Sequence, residues 1–256
     1  MRYIFFESEN MFHPKGPTLW ELVKQALSST KVGYDLLAPK FDYTPFATPE
    51  WIINATMKQL LKENGGKKFM SAKDFCTGTG AAIGGLLKIT NGVVIGIDWS
   101  EPMLEKAREK FFPFLDYELS SVRLYLVCGD IFQGPMHANA ELVTCFGALG
   151  HIEKHQQKAF MKQAHDALRA NGIFAFVTAE RPKWYQPRSW PYFIFDAIMK
   201  VRNWAIKPEF VMYYINFLLP DILELFDKEK WSEVKVVPLE VNGRKTELRL
   251  VMARKK

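Results

Sequence analysis

Long apolar runs and cysteines are both scarce in this sequence. The longest apolar run, Phe210–Leu219, has ten residues and is interrupted by Asn216, whereas a membrane-spanning helix needs about 20. The first residues lack the basic start, long apolar stretch and small-residue cleavage site of a secretory signal. Three cysteines among 256 residues are too few for a disulfide framework. We therefore expect a cytoplasmic protein that does not span a bilayer.

An excess of one charge is also missing. The chain is 48% apolar and 24% charged, which is typical of a globular protein with a sizeable core and excludes general disorder. Its net charge of +6 permits an anionic partner without requiring one. The length suits a single α/β domain.

Apolar, β-branched runs alternate with helical patterns in the middle of the chain. The runs predict strands at Val93–Ile97, Val122–Val127, Leu142–Phe146 and Ile173–Val177. Helices are expected between them at Pro102–Phe112 and Lys154–Ala170. This alternation predicts a parallel sheet with helices on both faces.

The two ends of the chain follow other patterns. Helices are expected at Pro17–Leu27 and from Thr48 onward, with Thr48 as N-cap and Pro49 as the first helical residue. At the other end, Asn242-Gly243 joins two strand-like runs, Trp231–Val241 and Glu247–Ala253. Because this dipeptide is a strong hairpin signal, the sheet should finish with an antiparallel strand.

Polar motifs fall at the predicted carboxyl ends of three successive strands. Asp74–Gly80, with the sequence DFCTGTG, lies where the first strand should turn into a helix, and its glycines let the backbone approach a ligand. Asp98 ends the second strand and can accept hydrogen bonds from both hydroxyls of a ribose. Cys128–Ile131 closes the third. Ligands of open α/β sheets bind at this edge.

Taken in this order, the motifs resemble those of the class I S-adenosylmethionine-dependent methyltransferases that act on small molecules, whose first motif reads roughly D-x-G-x-G-x-G. The resemblance covers about residues 67–180 and implies a Rossmann-like seven-stranded sheet with the last strand antiparallel. It also implies an enzyme that uses S-adenosylmethionine and transfers its methyl group by in-line displacement. Two departures are Lys73, where the family usually has an apolar residue, and Cys76, which replaces a glycine.

The resemblance implies a domain plan and roles for individual residues. The plan is a helical cap (1–66), a cofactor-binding core (67–180), a helical lid insertion after strand five (181–228) and a terminal β-hairpin (229–256). Asp74, Gly78 and Gly80 would surround the methionine portion of the cofactor, and Asp98 would hold its ribose. The remaining cofactor-binding residues would be Tyr34, Trp99, Met103, Asp130, Ile131 and Phe146, of which Met103, Asp130 and Ile131 would lie at the adenine.

Tyr34–Tyr43 resembles a Y-D-x-x-A-x-x-Y-D segment that closes over the cofactor in many of these enzymes, with Phe41 in place of the second tyrosine. This makes Tyr34 and Tyr43 candidate lid residues. A surface turn packed by its own aromatic rings is the alternative interpretation.

His151 follows the fourth predicted strand, near a position where similar small-molecule methyltransferases carry a histidine. It is our candidate to orient or deprotonate the acceptor, and Glu180 is the second candidate. A histidine that only bonds backbone at a helix start is the alternative. His151 and His155 do not form an H-E-x-x-H motif, so we predict no metal site.

Two other functions stay open at this point. Asp98 also suits a nicotinamide-dependent oxidoreductase, although Gly84 is misplaced for that fingerprint and no Tyr-x-x-x-Lys pair is present. A non-catalytic module that binds S-adenosylmethionine is the second alternative. Nucleic acid is not an expected partner, because basic residues interleaved with aromatics do not cluster outside residues 181–220.

Aromatic residues are concentrated between residues 181 and 220, where they number 11 of 40 against 14% for the whole chain. The same segment contains six basic residues and two acidic ones. If Tyr192–Ile206 is helical, Asp196, Lys200, Asn203 and Lys207 form a narrow polar stripe and the remaining circumference is apolar. We predict a lid over an apolar acceptor, lipid-like or anionic, with peripheral membrane contact as a further option. Packing onto the sheet is the alternative.

Overall fold

A seven-stranded mixed sheet organises the chain, with the strand order β3-β2-β1-β4-β5-β7-β6. The computed structural model describes residues 13–114, 121–134, 137–241 and 244–256. The strands are β1 Phe69–Phe75, β2 Thr90–Asp98, β3 Arg123–Cys128, β4 Ala140–Cys145, β5 Leu168–Ala179, β6 Trp231–Val241 and β7 Arg244–Lys255. Strands β1 to β5 pair in parallel, and β7 is antiparallel to both β5 and β6. The predicted sheet is confirmed, while the predicted Asn242-Gly243 turn lies outside the described residues.

Eight α-helices of the described ranges surround this sheet. They are α1 Leu19–Leu27, α2 Thr30–Leu37, α3 Glu50–Glu63, α4 Ile83–Ile89, α5 Glu101–Phe111, α6 Gln157–Ala167, α7 Trp190–Ala205 and α8 Leu219–Leu223. A 3-10 helix, Ala38–Tyr43, follows α2 directly. Among the residues described, no helix has the length and apolarity required to cross a membrane.

The central strands are apolar on both faces because helices cover both. Leu60 of α3 and Leu86 of α4 are fully buried with Leu142 in one core cluster. On the opposite face, Phe160 of α6 packs edge-on against Phe174 of β5, with ring centroids 6.0 Å apart. Burial of both faces is the reason these strands read as continuous apolar runs in the sequence.

The start of α3 differs from the expectation. Thr48 was expected to cap the helix, but this prediction is wrong, because Pro49 occupies the N-cap with extended backbone (ψ 139°) and no side-chain cap is present. A proline disfavours helical backbone in the residue before it, so Thr48 stays outside the helix. Its hydroxyl faces Gly147 instead, 2.9 Å from where a Cβ on that glycine would lie.

The N-terminal helices and the segment after α7 are held together by hydrogen bonds. The Arg202 guanidinium donates to the carbonyls of Ala26 and Ser28 at distances of 2.7 and 2.9 Å. The Val211 N–H donates to the Thr30 hydroxyl at 2.8 Å. These bonds place α1, α2 and residues 206–214 together, beside the carboxyl-end edge of the sheet.

Candidate active site

Asp74 is the buried anchor of the loop that follows β1. Its carboxylate accepts hydrogen bonds from the hydroxyls of Thr77 (2.7 Å) and Thr144 (2.6 Å), and the residue is 2% exposed. Burial raises the pKa of Asp74 to about 6, although both hydroxyl bonds oppose the shift. The Asp74 carboxylate fixes the loop through its bond to Thr77. The two hydroxyl bonds offset only part of the cost of burying its charge.

The glycines of this loop adopt backbone that a side chain disfavours. Gly78 and Gly80 have φ values of +55° and +83°. A Cβ on Gly80 would lie 2.6 Å from the Phe111 ring, whereas a Cβ on Gly78 would meet no atom within 4 Å. Cys76, where the family usually has glycine, also has a positive φ of 54°. The open space at Gly78 allows a ligand to approach the backbone closely.

Asp98 ties this loop to the end of β2. One carboxylate oxygen accepts from the Gly78 N–H at 2.8 Å, and the other accepts from the Ser100 N–H at 2.9 Å. Burial raises the pKa of Asp98 despite these backbone bonds. Because a carboxylate offers about four acceptor positions, the bonds from Ser100, Gly78 and Trp99 leave capacity for a ribose hydroxyl.

The other predicted cofactor residues lie near the same edge of the sheet. Met103 and Ile131 are buried at 2% and 5% exposure, Phe146 is buried, and Trp99 is 41% exposed. The Asp130 carboxylate accepts from the Phe132 N–H at 2.9 Å and so orders the turn after β3. Their contacts with a cofactor stay predictions.

Residues 34–43 lie over the cofactor loop, and two aspartates hold them there. The Ser100 hydroxyl donates to Asp35 and the Thr79 hydroxyl donates to Asp42, both at 2.5 Å. The aspartates of this segment, which make these bonds, were not among the residues predicted from the sequence, whereas its tyrosines were. The repeated aromatic-Asp pair in the Y-D motif was the available signal.

His151 and Tyr34 form a hydrogen-bonded pair. The Tyr34 hydroxyl lies 2.8 Å from His151 Nε2, and His151 Nδ1 lies 2.5 Å from the Val211 carbonyl. A carbonyl can only accept, so Nδ1 carries the proton and Nε2 accepts from Tyr34. Burial lowers the pKa of His151 and raises the pKa of Tyr34. Both side chains are therefore neutral near pH 7.

Aromatic and thioether side chains surround this pair. The Phe210 ring stacks on Tyr34 with centroids 6.1 Å apart, and Phe210 packs in one cluster with Met199 and Met212. Tyr43, the other predicted lid residue, stacks instead on His13 with centroids 4.6 Å apart. Tyr34 was predicted to bind the cofactor, and its hydroxyl lies at the candidate base, His151.

Glu180 does not join the pair. Its carboxylate accepts from Arg249 at 2.6 Å, across the β5–β7 ladder, and its side chain is half exposed. No contact among the described residues connects it to His151. Within the same ranges, no group of three or more His, Cys, Asp or Glu side chains could hold a metal ion.

Comparison with known proteins agrees with this geometry. A family model described as a methyltransferase domain matches residues 73–172. The stretch includes the Asp74 loop, Asp98, Asp130 and His151. Residues 73–172 are therefore similar to the S-adenosylmethionine-dependent methyltransferases in sequence, and the whole sheet is similar to them in fold.

Individual relatives extend the likeness beyond this methyltransferase domain. A demethylmenaquinone methyltransferase of Staphylococcus aureus is 28% identical over 176 residues, which cover 68% of this chain and 61% of that protein. The magnesium protoporphyrin IX methyltransferase of Synechocystis, solved with S-adenosylhomocysteine, has a TM-score of 0.57 at 15% identity and covers 81% of this chain and 83% of its own. A putative O-methyltransferase of Nostoc punctiforme has a TM-score of 0.63 at 17% identity, covering 99% and 69%. The two structural likenesses show the fold.

Proposed function

We propose that this protein transfers the methyl group of S-adenosylmethionine to a small, apolar, lipid-like acceptor. The observation that supports this most directly is the neutral Tyr34–His151 pair beside the acidic cofactor loop. The charge of Asp98 contributes to the raised pKa of Tyr34, which indicates that the pair and the loop share one site. A nicotinamide oxidoreductase has no support from the family comparison.

The residues at the sheet edge fit this cofactor. Three carboxylates, Asp35, Asp74 and Asp98, lie close together. The negative charge of Asp35 contributes to the raised pKa of Asp98, and that of Asp98 contributes to the raised pKa of Asp74. Such a set favours a ligand that carries a sulfonium and an ammonium group, and it disfavours a pyrophosphate. The open backbone at Gly78 supplies room for the methionine portion, and Asp98 keeps acceptor capacity for the ribose.

The chemistry that the cofactor supplies when bound is an electrophilic methyl carbon on a sulfonium, whose C–S bonding electrons leave with the sulfur. The chain must align the acceptor and remove its proton. In our proposal, an acceptor O–H gives its proton to the Tyr34 oxygen while Tyr34 passes its own proton to His151 Nε2. The imidazolium that results keeps its Nδ1–H on the Val211 carbonyl.

The surroundings of the pair support an apolar acceptor. Phe210 and Met212 are buried beside Tyr34, and water is therefore excluded from much of the space next to the hydroxyl. The curated relatives named as demethylmenaquinone methyltransferases favour the same class, because a menaquinone precursor is lipid-like. Reduced demethylmenaquinone with a shortened side chain, a hydroquinone that carries the required O–H groups, is the first acceptor to test.

Calorimetry with S-adenosylmethionine tests the cofactor half of the proposal. Asp98→Ala removes hydrogen bonds to a charged acceptor that are worth roughly 1.5–3 kcal/mol each, so affinity should fall at least about tenfold. Asp166→Ala, which removes an exposed carboxylate of α6, is the matched control and should bind like the parent. An unchanged dissociation constant in Asp98→Ala would reject the site.

Transfer of a radiolabelled methyl group tests the acceptor half. The label should move into the organic phase when the reduced, short-chain demethylmenaquinone is supplied, and kcat/KM should rise as the apolar side chain is lengthened. Methylation of water-soluble phenols only, at rates independent of chain length, would overturn the lipid-like acceptor while leaving methyl transfer intact.

A further inference from the structure

Helix α7 buries two polar residues, together with Tyr192 and Met199, and exposes most of its other apolar residues. Asp196 and Asn203 are 4% and 6% exposed, because they bond backbone groups of the segment that follows the helix. In contrast, Trp204 is 86% exposed and Val201 is 64% exposed. The arrangement reverses that of an ordinary surface helix, whose apolar stripe faces the core.

The exposed residues of α7 form one continuous stripe. At 100° per residue, its apolar members span roughly 140° of the circumference with no charged residue between them. They include Trp190, Ile194, Ala197, Ile198, Val201 and Trp204. Lys200 and Arg202 flank the stripe on its two sides. A stripe of this width on a monomeric protein needs a partner or an apolar phase to cover it.

Helix α1 has the same reversed orientation and lies beside α7. Its buried residue is Gln25, whereas Leu19 and Trp20 are 79% and 74% exposed. Val23 and Leu27 are exposed on the same side. Since Arg202 of α7 donates to carbonyls at the end of α1, the two helices are neighbours. We call their exposed apolar residues the α1–α7 face.

We propose that the α1–α7 face docks onto the surface of an anionic lipid bilayer. Its aromatic composition suits a bilayer interface, because tryptophan and tyrosine prefer the headgroup level. Trp20, Trp190 and Trp204 lie on the two helices, and Trp184 and Tyr185 are exposed just before α7.

The charges around the face complement anionic headgroups. Lys24, Lys183 and Lys200 are exposed and form no ion pair with any described residue. The two acidic residues between residues 181 and 220 repel anionic headgroups only weakly, because Asp196 is buried and Glu209 is paired with Lys207. Basic residues next to an amphipathic helix strengthen its binding to anionic lipid.

The face leads to the proposed acceptor site. The chain passes from the end of α7 through residues 206–209 to Phe210 and Val211, which contact Tyr34 and His151. An acceptor that leaves a bilayer at this face would therefore meet the catalytic pair at the adjacent edge of the sheet. This link rests on the proposed function, whereas the docking itself does not.

Vesicle co-sedimentation tests the docking. The purified protein is mixed with vesicles of phosphatidylglycerol and phosphatidylcholine, or of phosphatidylcholine alone. We expect binding to the anionic vesicles that weakens at high salt. The double variant Ile198→Glu/Trp204→Glu should lose at least about tenfold in partitioning, because it places charge in the apolar stripe. Phe114→Glu is the control, since Phe114 is also 86% exposed but lies elsewhere.

Thermal unfolding and S-adenosylmethionine calorimetry on each variant separate docking from folding and from the proposed function. Unchanged cofactor affinity together with lost sedimentation supports the proposal. A parent protein that ignores both kinds of vesicle overturns it. Sedimentation velocity also overturns it if the parent is a dimer and the double variant is a monomer, because a second copy of the chain would then cover the α1–α7 face. Equal loss of partitioning in Phe114→Glu would also reject it.

Discussion

Tyr34 and His151 should act as a unit, because they bond each other and the Val211 carbonyl holds the His151 ring in place. Tyr34→Phe and His151→Gln should each lower kcat by about 10²–10⁴-fold, the usual contribution of a general base. The double variant should be no slower than the slower single variant, since both steps of one proton relay are removed together. Tyr43→Phe, in the same segment without a bond to His151, is the matched control.

Two measurements check this pair without relying on rate alone. Nitrogen chemical shifts of the His151 ring should report a proton on Nδ1 at pH 7. Because burial lowers the pKa of His151 below 6.5, the acid limb of the rate profile should lie below that value. Multiplicative losses of kcat in the double variant, or an Nε2-protonated ring, would contradict the relay.

The buried Asp74 carboxylate should lower the free energy of unfolding at neutral pH, where it is ionised, although we expect it to contact the cofactor. Its folded pKa of about 6 is raised from 3.8, so its stabilising contribution is complete below pH 3.8 and is lost as pH rises through 6. Two pKa units correspond to about 3 kcal/mol. Asp74→Asn should therefore gain stability relative to the parent between pH 4 and pH 7 and bind S-adenosylmethionine more weakly.

Urea unfolding at several pH values measures this difference. Asp166→Asn is the control with the opposite sign: burial opposes the shift, but bonds from Lys162 and His165 hold the pKa of Asp166 low. Removing that carboxylate should lower stability near neutral pH, and the loss should vanish as pH falls. Parallel stability profiles for Asp74→Asn and the parent would show that Asp74 does not titrate as described.

At the scale of elements, helix α7 shows where the sequence stops being informative. Tyr192–Ile206 was expected to be helical with a narrow polar stripe, and the helix spans Trp190–Ala205. The periodicity could not say which side faces inward. That depends on Asp196 and Asn203 finding backbone partners many residues later, and such long-range bonds leave no local pattern.

Asp196 should stabilise the segment after α7 far more than its neighbour on the polar stripe. It accepts the N–H groups of Tyr214 and Ile215 at 2.7 and 2.9 Å. Asp196→Ala would remove the acceptor of both part-buried N–H groups, at a cost of roughly 1–3 kcal/mol each. Lys200→Ala changes an exposed residue and should stay within about 0.5 kcal/mol of the parent. Chemical unfolding measures both, and equal effects would mean that the buried bonds do not hold the segment.

At the scale of the whole molecule, the sequence predicts the sheet and the edge at which its acidic residues lie. Strand boundaries depend on local apolar runs, and the placement of Asp74, Asp98 and Asp130 at one edge follows from parallel topology. The pairing of Tyr34 with His151 could not be predicted, because 117 residues separate them. The ion pair between Glu180 and Arg249 could not be predicted either, because it depends on β7 lying beside β5 in the sheet.

Cofactor binding should stabilise the whole molecule, because a ligand at the sheet edge would lie between elements that already bond one another: Asp42 accepts from Thr79 of the loop after β1, and Asp35 accepts from Ser100 at the start of α5. A ligand at 100 times its dissociation constant adds about 2.7 kcal/mol to the free energy of unfolding. For a chain of this size, that corresponds to a rise in Tm of roughly 5–10 °C. S-adenosylmethionine and S-adenosylhomocysteine should both produce the shift, and NADH and NADPH should not. Differential scanning fluorimetry measures the shift in Tm with each ligand, and Asp98→Ala should lose the shift. A shift with NADH alone would favour the oxidoreductase alternative instead.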